Sequence, residues 1–324
     1  MTTAVPFVYT YQLGGITFQI QSDLRLSDFL ADKFQRFTPV HTQPDVICRI
    51  RGIVPRASRP VTNDPSLTES LIHWLPREIL LQPWPLLHSP QVEAALRAGL
   101  AHPHSVRVEL RTASITITDV AQRRMDIFYH RDNPYFTHDT RYLGTEMISP
   151  FLPAFDATLL HSAGAVWGGV AGLFLAPDGG GKTTLASLIR PGGVVMSDDQ
   201  NVVRSLGGQF RAYSLPWCRI LGSTGHHPVG GLFFLEKAPD FDLIPLKATD
   251  ALGRIALDPQ NALGPLPKAY RLRVALLRVA LLQQVPAYRL RFSRAHVDWD
   301  AIGAAMRAPL FAQAARSRRQ PPRP

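Results

Sequence analysis

The sequence has little cysteine: only Cys48 and Cys218 occur among 324 residues. They lie far apart, and neither belongs to a Cys-x-x-Cys pair. A disulfide framework and a zinc site of the usual spacing are therefore not indicated, and a reducing compartment is expected. The amino terminus also lacks the basic start and long apolar run of a signal peptide. These absences predict a cytoplasmic location.

Acidic residues are also scarce, because 25 Asp and Glu stand against 35 Lys and Arg, which gives a net charge of +10. An excess of arginine suits phosphate groups and raises the question of nucleic acid. Part of the excess lies in residues 316–324, which offer no apolar side chain to bury and are expected to be disordered. No recognition module with stacking aromatics is visible. Nucleic acid is therefore disfavoured as a partner.

Residues 158–176 lack any formal charge and are long enough to span a bilayer. Four glycines, Trp167 and His161 interrupt this segment, and it runs directly into a glycine-rich loop that must contact water. We therefore predict two buried strands joined by a turn at Gly168-Gly169, and no membrane span.

The pattern of the chain divides near residue 150. Before it, apolar and polar residues alternate in short runs, which predicts β-strands, with a single helix near residues 92–100. From about Phe151, longer apolar strands alternate with glycine-rich loops, as expected for strands covered by helices on both faces. Residues 270–284 have helical spacing with arginines, which we expect on a solvated face. The sequence thus predicts a mixed α/β fold with a β-rich region (1–150), a domain that carries the nucleotide-binding motif described below (151–306), and a basic disordered tail (307–324).

Residues 172–189 have the order strand, glycine-rich loop and helix that a phosphate-binding loop requires. They match the relaxed pattern Ala/Gly-x-x-x-x-Gly-Lys-Thr, with Ala176 where glycine is usual. Glycines let backbone N–H groups approach phosphate oxygens, Lys182 would contact the β and γ phosphates, and the Thr183 hydroxyl would bind Mg²⁺. The pattern predicts ATP or GTP as the nucleotide. The predicted nucleotide-binding residues are Asp178, Gly179, Gly180, Gly181, Lys182, Thr183 and Thr184.

Two aspartates, Asp198 and Asp199, follow the next predicted strand about sixteen residues after Lys182. A strand, a crossover helix and a second strand bring both carboxyl ends to one edge of the sheet, where such sheets bind ligands. One carboxylate would hold Mg²⁺ and the other would accept the proton of an acceptor hydroxyl. Asp199 is assigned to the metal together with Thr183, and the spacing leaves open which aspartate is the base. A turn-forming Asp-Asp pair is the alternative interpretation.

His161 is a further candidate catalytic group, in addition to Asp198, Asp199 and Lys182. If the predicted hairpin turns at Gly169, His161 lies opposite Pro177 at the mouth of the loop. There an imidazole could orient the acceptor or contact the γ-phosphate. A hydrogen-bonded core histidine is an equally good interpretation of the pattern.

The succession of these motifs between about Leu159 and Arg204 resembles the HPr kinase/phosphorylase group and its relatives, whose fold is akin to that of phosphoenolpyruvate carboxykinase. The resemblance implies a P-loop kinase core and Mg²⁺-dependent transfer from ATP to a serine-type hydroxyl. It places the family's functional residues at His161, Lys182, Thr183, Asp198 and Asp199. The glycine-rich signature with which the true HPr enzymes engage their protein substrate is absent, so a peptide, another protein or a metabolite is the expected acceptor rather than HPr.

Two other functions fit the same motifs. A nucleotide-binding regulatory or scaffold protein would use the triphosphate to order its loops without transferring a phosphoryl group. A simple ATPase would release phosphate to water at full rate. The sequence leaves open the acceptor, the choice between ATP and GTP, the role of residues 1–150, and whether the protein forms a homo-oligomer.

Overall fold

The computed structural model describes residues 7–23, 37, 43–53, 87, 89–99, 104–111, 114–130, 145, 147–189, 192–215, 218, 220, 222–261 and 268–317. Within them the protein is a mixed α and β fold with two mixed sheets and few helices. The chain divides into two compact units, one formed by Met1–Ala154 with Pro265–Tyr270 and the other by Phe155–Gly264 with Arg271–Pro324. None of the helices in this part of the chain combines the length and hydropathy that a membrane span requires.

The first unit contains a six-stranded sheet in the order β1-β2-β3-β6-β5-β4. The pairs β2–β3 and β3–β6 are parallel and the remaining pairs are antiparallel. Its described elements are β1 (Phe7–Leu13), β2 (Ile16–Ser22), β3 (Val46–Ile53), α1 (Pro90–Gly99), β4 (Val106–Arg111), β5 (Ser114–Asp119) and β6 (Arg124–His130). The predicted strands and helix before residue 119 are confirmed, whereas β6 was not predicted.

Helix α1 covers part of one face of this sheet. Its apolar side chains Val92 and Leu96 are fully buried against strand residues that include Ile115, Ile117 and Phe128. These positions recur every second residue along a strand and at spacing four along the helix, so each element turns one apolar face inward. The hydrophobic pattern accounts for the packing of this unit.

The second unit contains an eight-stranded sheet in the order β11-β10-β7-β8-β12-β14-β13, with β9 paired to β7. Its strands are β7 (Ala157–Trp167), β8 (Val170–Leu175), β9 (Gly193–Ser197), β10 (Gln200–Leu206), β11 (Gln209–Ser214), β12 (His226–Lys237), β13 (Asp242–Leu246) and β14 (Ala287–Phe292). Its helices are α2 (Lys182–Ser187), α3 (Ala248–Leu257), α5 (Trp299–Ser317) and all but the first three residues of α4 (Lys268–Gln284), with a short 3₁₀ turn at Pro259–Asn261. Another 3₁₀ turn, Leu152–Phe155, occurs where the chain passes from the first unit to the second.

Both faces of the central strands are covered. Side chains of α3 and α4 pack on one face, in a cluster that includes Leu160, Leu173 and Leu175. Side chains of α2 and α5 pack on the other, against residues such as Phe174 and Phe233. The prediction of strands buried on both faces is confirmed.

The predicted hairpin is also confirmed, since β7 and β8 are antiparallel and pair from Trp167–Val170 to Ser162–Leu175. The register is one residue tighter than expected, so its continuation would bring His161 opposite Ala176 rather than Pro177. Gly168 and Gly169 have φ of 54° and 81°, the left-handed conformation that only glycine adopts at little cost.

Strands β9 and β10 lie end to end along the same side of β7. The first half of β7 pairs with β10 and its second half with β9. Strands β8 and β9 are therefore parallel, as predicted, but β7 lies between them. The interruption between β9 and β10 is occupied by Asp198 and Asp199, which places this pair beside the middle of β7.

Two expectations about the carboxyl-terminal part differ from the structure. Helix α5 continues to Ser317, so residues 307–317 of the expected disordered tail are helical, and residues 318–324 lie outside the described residues. Four alanines between 308 and 315 explain this helix, because alanine has the highest helix propensity. The arginines of α4 were expected on a solvated face, but Arg278 is buried and donates hydrogen bonds to Thr158 Oγ1 and Leu159 O.

Candidate active site

The glycine-rich loop between β8 and α2 is held by backbone geometry that requires its glycines. Gly179 and Gly181 have φ of 74° and 105°. Gly180 donates its N–H to Pro177 O at 3.0 Å, and a Cβ on Gly180 would lie 2.5 Å from the Cβ of Ala176. The three successive glycines are thus explained by two backbone conformations and one close approach.

The buried side chain of Lys182 forms hydrogen bonds with the backbone at the start of this loop. Its side chain is only 5% exposed, and Nζ donates hydrogen bonds to Ala176 O at 2.8 Å and Pro177 O at 3.3 Å. Among the described residues, no acceptor contacts the backbone N–H groups of Gly179, Gly181, Thr183 or Thr184. A loop that combines an ammonium group with N–H donors that no described residue uses is suited to an anion.

The two aspartates at the interruption between β9 and β10 have different surroundings. Asp198 is fully buried, and its Oδ1 accepts the N–H of Ile220 at 3.1 Å. Its Oδ2 is buried without a hydrogen-bond partner among the described residues. Asp199, in contrast, has a half-exposed side chain whose Oδ1 lies 3.2 Å from Nε2 of His161. Of the pair, only Asp199 is accessible to a ligand in this structure.

His161 lies between carboxylates on both sides of its ring. Nδ1 is 2.7 Å from Asp258 Oδ2, while Nε2 is 3.2 Å from Asp199 Oδ1 and 3.5 Å from Asp178 Oδ1. Its backbone N–H donates to Asn261 Oδ1 at 2.7 Å. Asp258 therefore fixes the ring orientation, and Nε2 points toward the glycine-rich loop. His161 is thus a hydrogen-bonded buried histidine, as one interpretation of the sequence predicted, and it lies within the candidate site; its role toward an acceptor or a γ-phosphate stays a prediction.

These contacts bring the predicted residues together. The ligand atoms of His161, Asp178 and Asp199 lie within 4.8 Å of one another, and Asp178 Oδ1 is 3.9 Å from Lys182 Nζ. Asp198 and Asp258 also lie close enough to act electrostatically on Lys182. Carboxylate oxygens are ligands that Mg²⁺ accepts, so this cluster offers donor atoms for a divalent cation.

The charges perturb one another strongly. Burial lowers the pKa of His161, but hydrogen bonds to Asp199 and Asp258 raise it by more, so the pKa lies above its usual value. The hydrogen bond with His161 holds the pKa of Asp199 below its ordinary range despite partial burial. Burial lowers the pKa of Lys182, and the surrounding carboxylates raise it only in part. Perturbed groups that share one cleft are typical of functional sites.

Several polar residues of the site were not predicted. Asp258 and Asn261 support His161 from the turn after α3, and Gln260 Nε2 donates to Asp178 Oδ2 at 2.8 Å. The polar run from Asp258 to Asn261 after an apolar helix is the only sequence signal of this turn. Asn201 was also missed; it lies two residues after Asp199 and is fully buried.

Asn201 connects the strands around the aspartate pair. Its Nδ2 donates to Ser162 O at 2.7 Å, and its Oδ1 accepts the hydroxyl of Ser197 at 2.7 Å. A Cβ on Gly164 would lie 2.6 Å from Asn201 Oδ1, so glycine makes room for this amide. Asn201 thereby links β7, β9 and β10 where Asp198 and Asp199 emerge.

The hydroxyl groups of the two threonines near the start of α2 form no hydrogen bond with a described residue. Thr183 is exposed and Thr184 is half-buried, and neither hydroxyl has a hydrogen bond to a described residue. The assignment of Thr183 to Mg²⁺ therefore stays a prediction. Cys218, which follows β11 in the chain, donates from Sγ to Gln200 O at 3.6 Å.

A pocket of about 200 Å³ adjoins the start of the loop. Its walls include Pro177, Phe234, Leu257 and Asp258, with Arg254 as its one basic side chain among the described residues. The pocket lies where the parallel strands β8 and β12 end, at the edge of the sheet that carries the cluster.

A scan against models of known protein families finds no match to this chain, and neither does a search of curated proteins.

Proposed function

We propose that the protein is a Mg²⁺-dependent phosphotransferase that moves the terminal phosphoryl group of ATP to a hydroxyl of a peptide, protein or small molecule. The observation that carries the proposal is the meeting of the glycine-rich loop with a carboxylate and histidine cluster: Asp178 Oδ1 of the loop is 3.5 Å from His161 Nε2, and the ligand atoms of His161, Asp178 and Asp199 lie within 4.8 Å of one another. Residues 159–204 resemble the HPr kinase group, which has a P-loop kinase core, and this resemblance supports the same chemistry.

The residues present fit a metal-bound triphosphate. The loop offers an ammonium group and backbone N–H donors that no described residue uses, and a Cβ at Gly180 would clash with Ala176 and Pro177 of the same loop. Asp198 is close enough to act electrostatically on Lys182, so its buried carboxylate adds negative charge to the site without itself reaching the ligand.

The local charge explains why a divalent cation is needed. Four carboxylates, those of Asp178, Asp198, Asp199 and Asp258, surround Lys182 and His161. Even with His161 protonated, the cluster is negative, so a free triphosphate would be repelled. Mg²⁺ bound to the triphosphate would neutralise charge on both partners and make the phosphoryl group available for transfer.

The roles of the side chains follow from their exposure. Asp199 reaches solvent and stays ionised, so it suits the metal and faces an arriving hydroxyl, whereas Asp198 supports it from the interior. His161 holds Asp199 in place, and Asp258 orients His161. Because phosphoryl transfer passes through a loose transition state, positioning and charge neutralisation supply most of the catalysis.

The pocket beside Pro177 and Arg254 offers space for part of the acceptor.

Two measurements on the full chain test the proposal. Calorimetric titration with the non-hydrolysable analogue AMP-PNP should show binding with Mg²⁺ and none after EDTA. Incubation with γ-labelled ATP and a cell extract should yield a labelled acceptor, and the Asp199→Asn variant should reduce labelling by about 10² to 10⁴. Asp250→Asn, which alters an exposed aspartate of α3, is the matched control.

The outcomes separate the three candidate functions. Mg²⁺-dependent AMP-PNP binding without any labelled acceptor would favour the regulatory protein. Phosphate release at full rate without extract would favour the ATPase. Absence of nucleotide binding would reject all three.

A further inference from the structure

A serine and a histidine are in contact at the start of β12, away from the glycine-rich loop. Ser223 Oγ lies 3.0 Å from His227 Nε2, and His227 Nδ1 lies 3.3 Å from Gly169 O. Gly169 belongs to the turn between β7 and β8, whereas the glycine-rich loop follows the other end of β8. The six residues of β8 separate these two ends by about 20 Å. The contact is therefore separate from the proposed site of phosphoryl transfer.

The hydrogen bonds determine which nitrogen of His227 carries the proton. A carbonyl oxygen only accepts hydrogen bonds, so Nδ1 must be protonated in order to bond with Gly169 O. Burial lowers the pKa of His227 below its usual value, which leaves the ring uncharged near neutral pH. Nε2 of such a ring is an acceptor, and the Ser223 hydroxyl donates to it. This is the arrangement in which an imidazole acts as a general base for a serine.

Gly225 leaves space beside this serine and histidine. Its N–H donates to Ser223 Oγ at 3.4 Å in a hydrogen bond that is exposed to solvent. A Cβ on Gly225 would lie 3.6 Å from Ser223 Oγ and 3.5 Å from His227 Nε2. The φ of Gly225 is outside the left-handed region, so the backbone conformation does not require glycine here. The absent side chain therefore leaves room for a reagent next to the hydroxyl.

A second turn with a serine and a histidine lacks the contact between them. His296 N–H donates to Ser293 Oγ at 3.2 Å, so these residues are also neighbours. Ser293 Oγ and His296 Nδ1 both bond with Pro239 O, at 3.2 Å and 2.9 Å, and not with each other. Ser293 thus has no imidazole base among the described residues, and it serves as an internal comparison for Ser223.

We propose that Ser223 is a nucleophile that accepts an acyl group from an activated ester. Oγ attacks the carbonyl carbon while its proton passes to His227 Nε2, and a tetrahedral intermediate forms. The bond to the leaving oxygen then breaks, and the proton on Nε2 passes to that oxygen. The products are an acyl ester of Ser223 and the alcohol or phenol of the donor.

The activated ester p-nitrophenyl acetate is a suitable probe. Incubation of the full chain near neutral pH, followed by proteolysis and mass spectrometry, should show acetylation of Ser223 at least about 100-fold faster than that of Ser293. Neutral hydroxylamine should remove the acetyl group from Ser223, because it cleaves esters and leaves the amides of acetylated lysines. Acetylation of Ser223 that is no faster than that of Ser293 overturns the proposal.

Three substitutions separate a general base from a structural histidine. His227→Gln keeps a polar side chain near Ser223 but removes the base, and should slow acetylation about 100-fold. Gly225→Ala leaves the serine and the histidine in place but covers them with a methyl group, and should slow acetylation by a smaller factor. Thr224→Ala, which removes an exposed neighbouring hydroxyl, should leave the rate unchanged. Urea unfolding shows that each variant is folded. An undiminished rate in a folded His227→Gln or Gly225→Ala variant contradicts the proposal.

Discussion

Two aspartates, one in each unit, share an unusual feature. Asp198 and Asp126 are both buried, and each has one carboxylate oxygen without a partner among the described residues. Their surroundings differ. Asp198 raises the pKa of Lys182 together with the carboxylates of Asp178, Asp199 and Asp258, whereas Asp126 pairs with Arg124 at the wall of a cavity that has both apolar and polar lining residues.

This difference shows that an unpaired buried oxygen does not by itself define a function. At Asp198 the oxygen lies among charges of both signs, within the proposed nucleotide site. At Asp126 the other carboxylate oxygen is already paired with Arg124, and no comparable group of charges surrounds it among the described residues. The comparison is open to direct test, since each site can be altered without touching the other.

The largest effect is expected at Lys182. Lys182→Ala removes the ammonium from the loop and should weaken Mg²⁺-dependent AMP-PNP binding by about 100-fold, because a charge-assisted contact to phosphate is lost. Calorimetric titration measures the change. Lys247→Ala, which removes an exposed lysine before α3, should leave the affinity unchanged. Equal losses in both variants would mean that the loop does not bind phosphate.

The next effect concerns the aspartates themselves. Asp198→Asn keeps an acceptor for Ile220 N–H but removes one negative charge beside the loop, and should change Mg²⁺-dependent AMP-PNP affinity by about tenfold. We expect a loss, because the metal-bound ligand depends on that charge. Asp126→Asn should leave this affinity unchanged. If Asp126→Asn changes the AMP-PNP affinity more than Asp198→Asn does, the buried carboxylates of Asp198 and Asp126 do not have separate roles.

Much of the second unit could be predicted because its signals are local. The glycines at 168–169 and 179–181 mark sharp turns, and the apolar runs beside them are long enough to identify buried strands. The parallel placement of β8 and β9 followed from the short crossover between them. Lys182 and Asp199 could therefore be brought to one edge of the sheet from the sequence.

The rest depends on contacts between distant segments. Asp258 lies 97 positions from His161, and nothing local in the sequence connects them. The different burial of Asp198 and Asp199 depends on where β9 ends and β10 begins along β7, which a run of two identical residues does not reveal. Asp126 offered no signal either, because its unpaired oxygen results from Arg49 turning to Gln21.

Asp258 provides a test of positioning. Asp258→Asn keeps an oxygen near Nδ1 of His161 but removes the charge, so His161 should hold Asp199 less firmly. Phosphoryl transfer at saturating nucleotide should fall by about fivefold to tenfold, while AMP-PNP affinity changes by less than about twofold. Asp258→Ala should reduce the rate of phosphoryl transfer more than Asp258→Asn does. A change in affinity without a change in rate would assign Asp258 to nucleotide binding instead.

The smallest effect separates two neighbouring glycines of the loop. A Cβ at Gly180 would lie 2.5 Å from Ala176 Cβ and 2.9 Å from Pro177 O, whereas a Cβ at Gly179 meets nothing within 4 Å. Gly180→Ala should therefore lower the free energy of unfolding by about 1–3 kcal/mol, as overpacking does. Gly179→Asn should cost less than about 1 kcal/mol, because asparagine tolerates the left-handed conformation that Gly179 adopts. Urea unfolding of both variants measures the difference, and a reversed order would show that conformation rather than the close approach selects glycine in this loop.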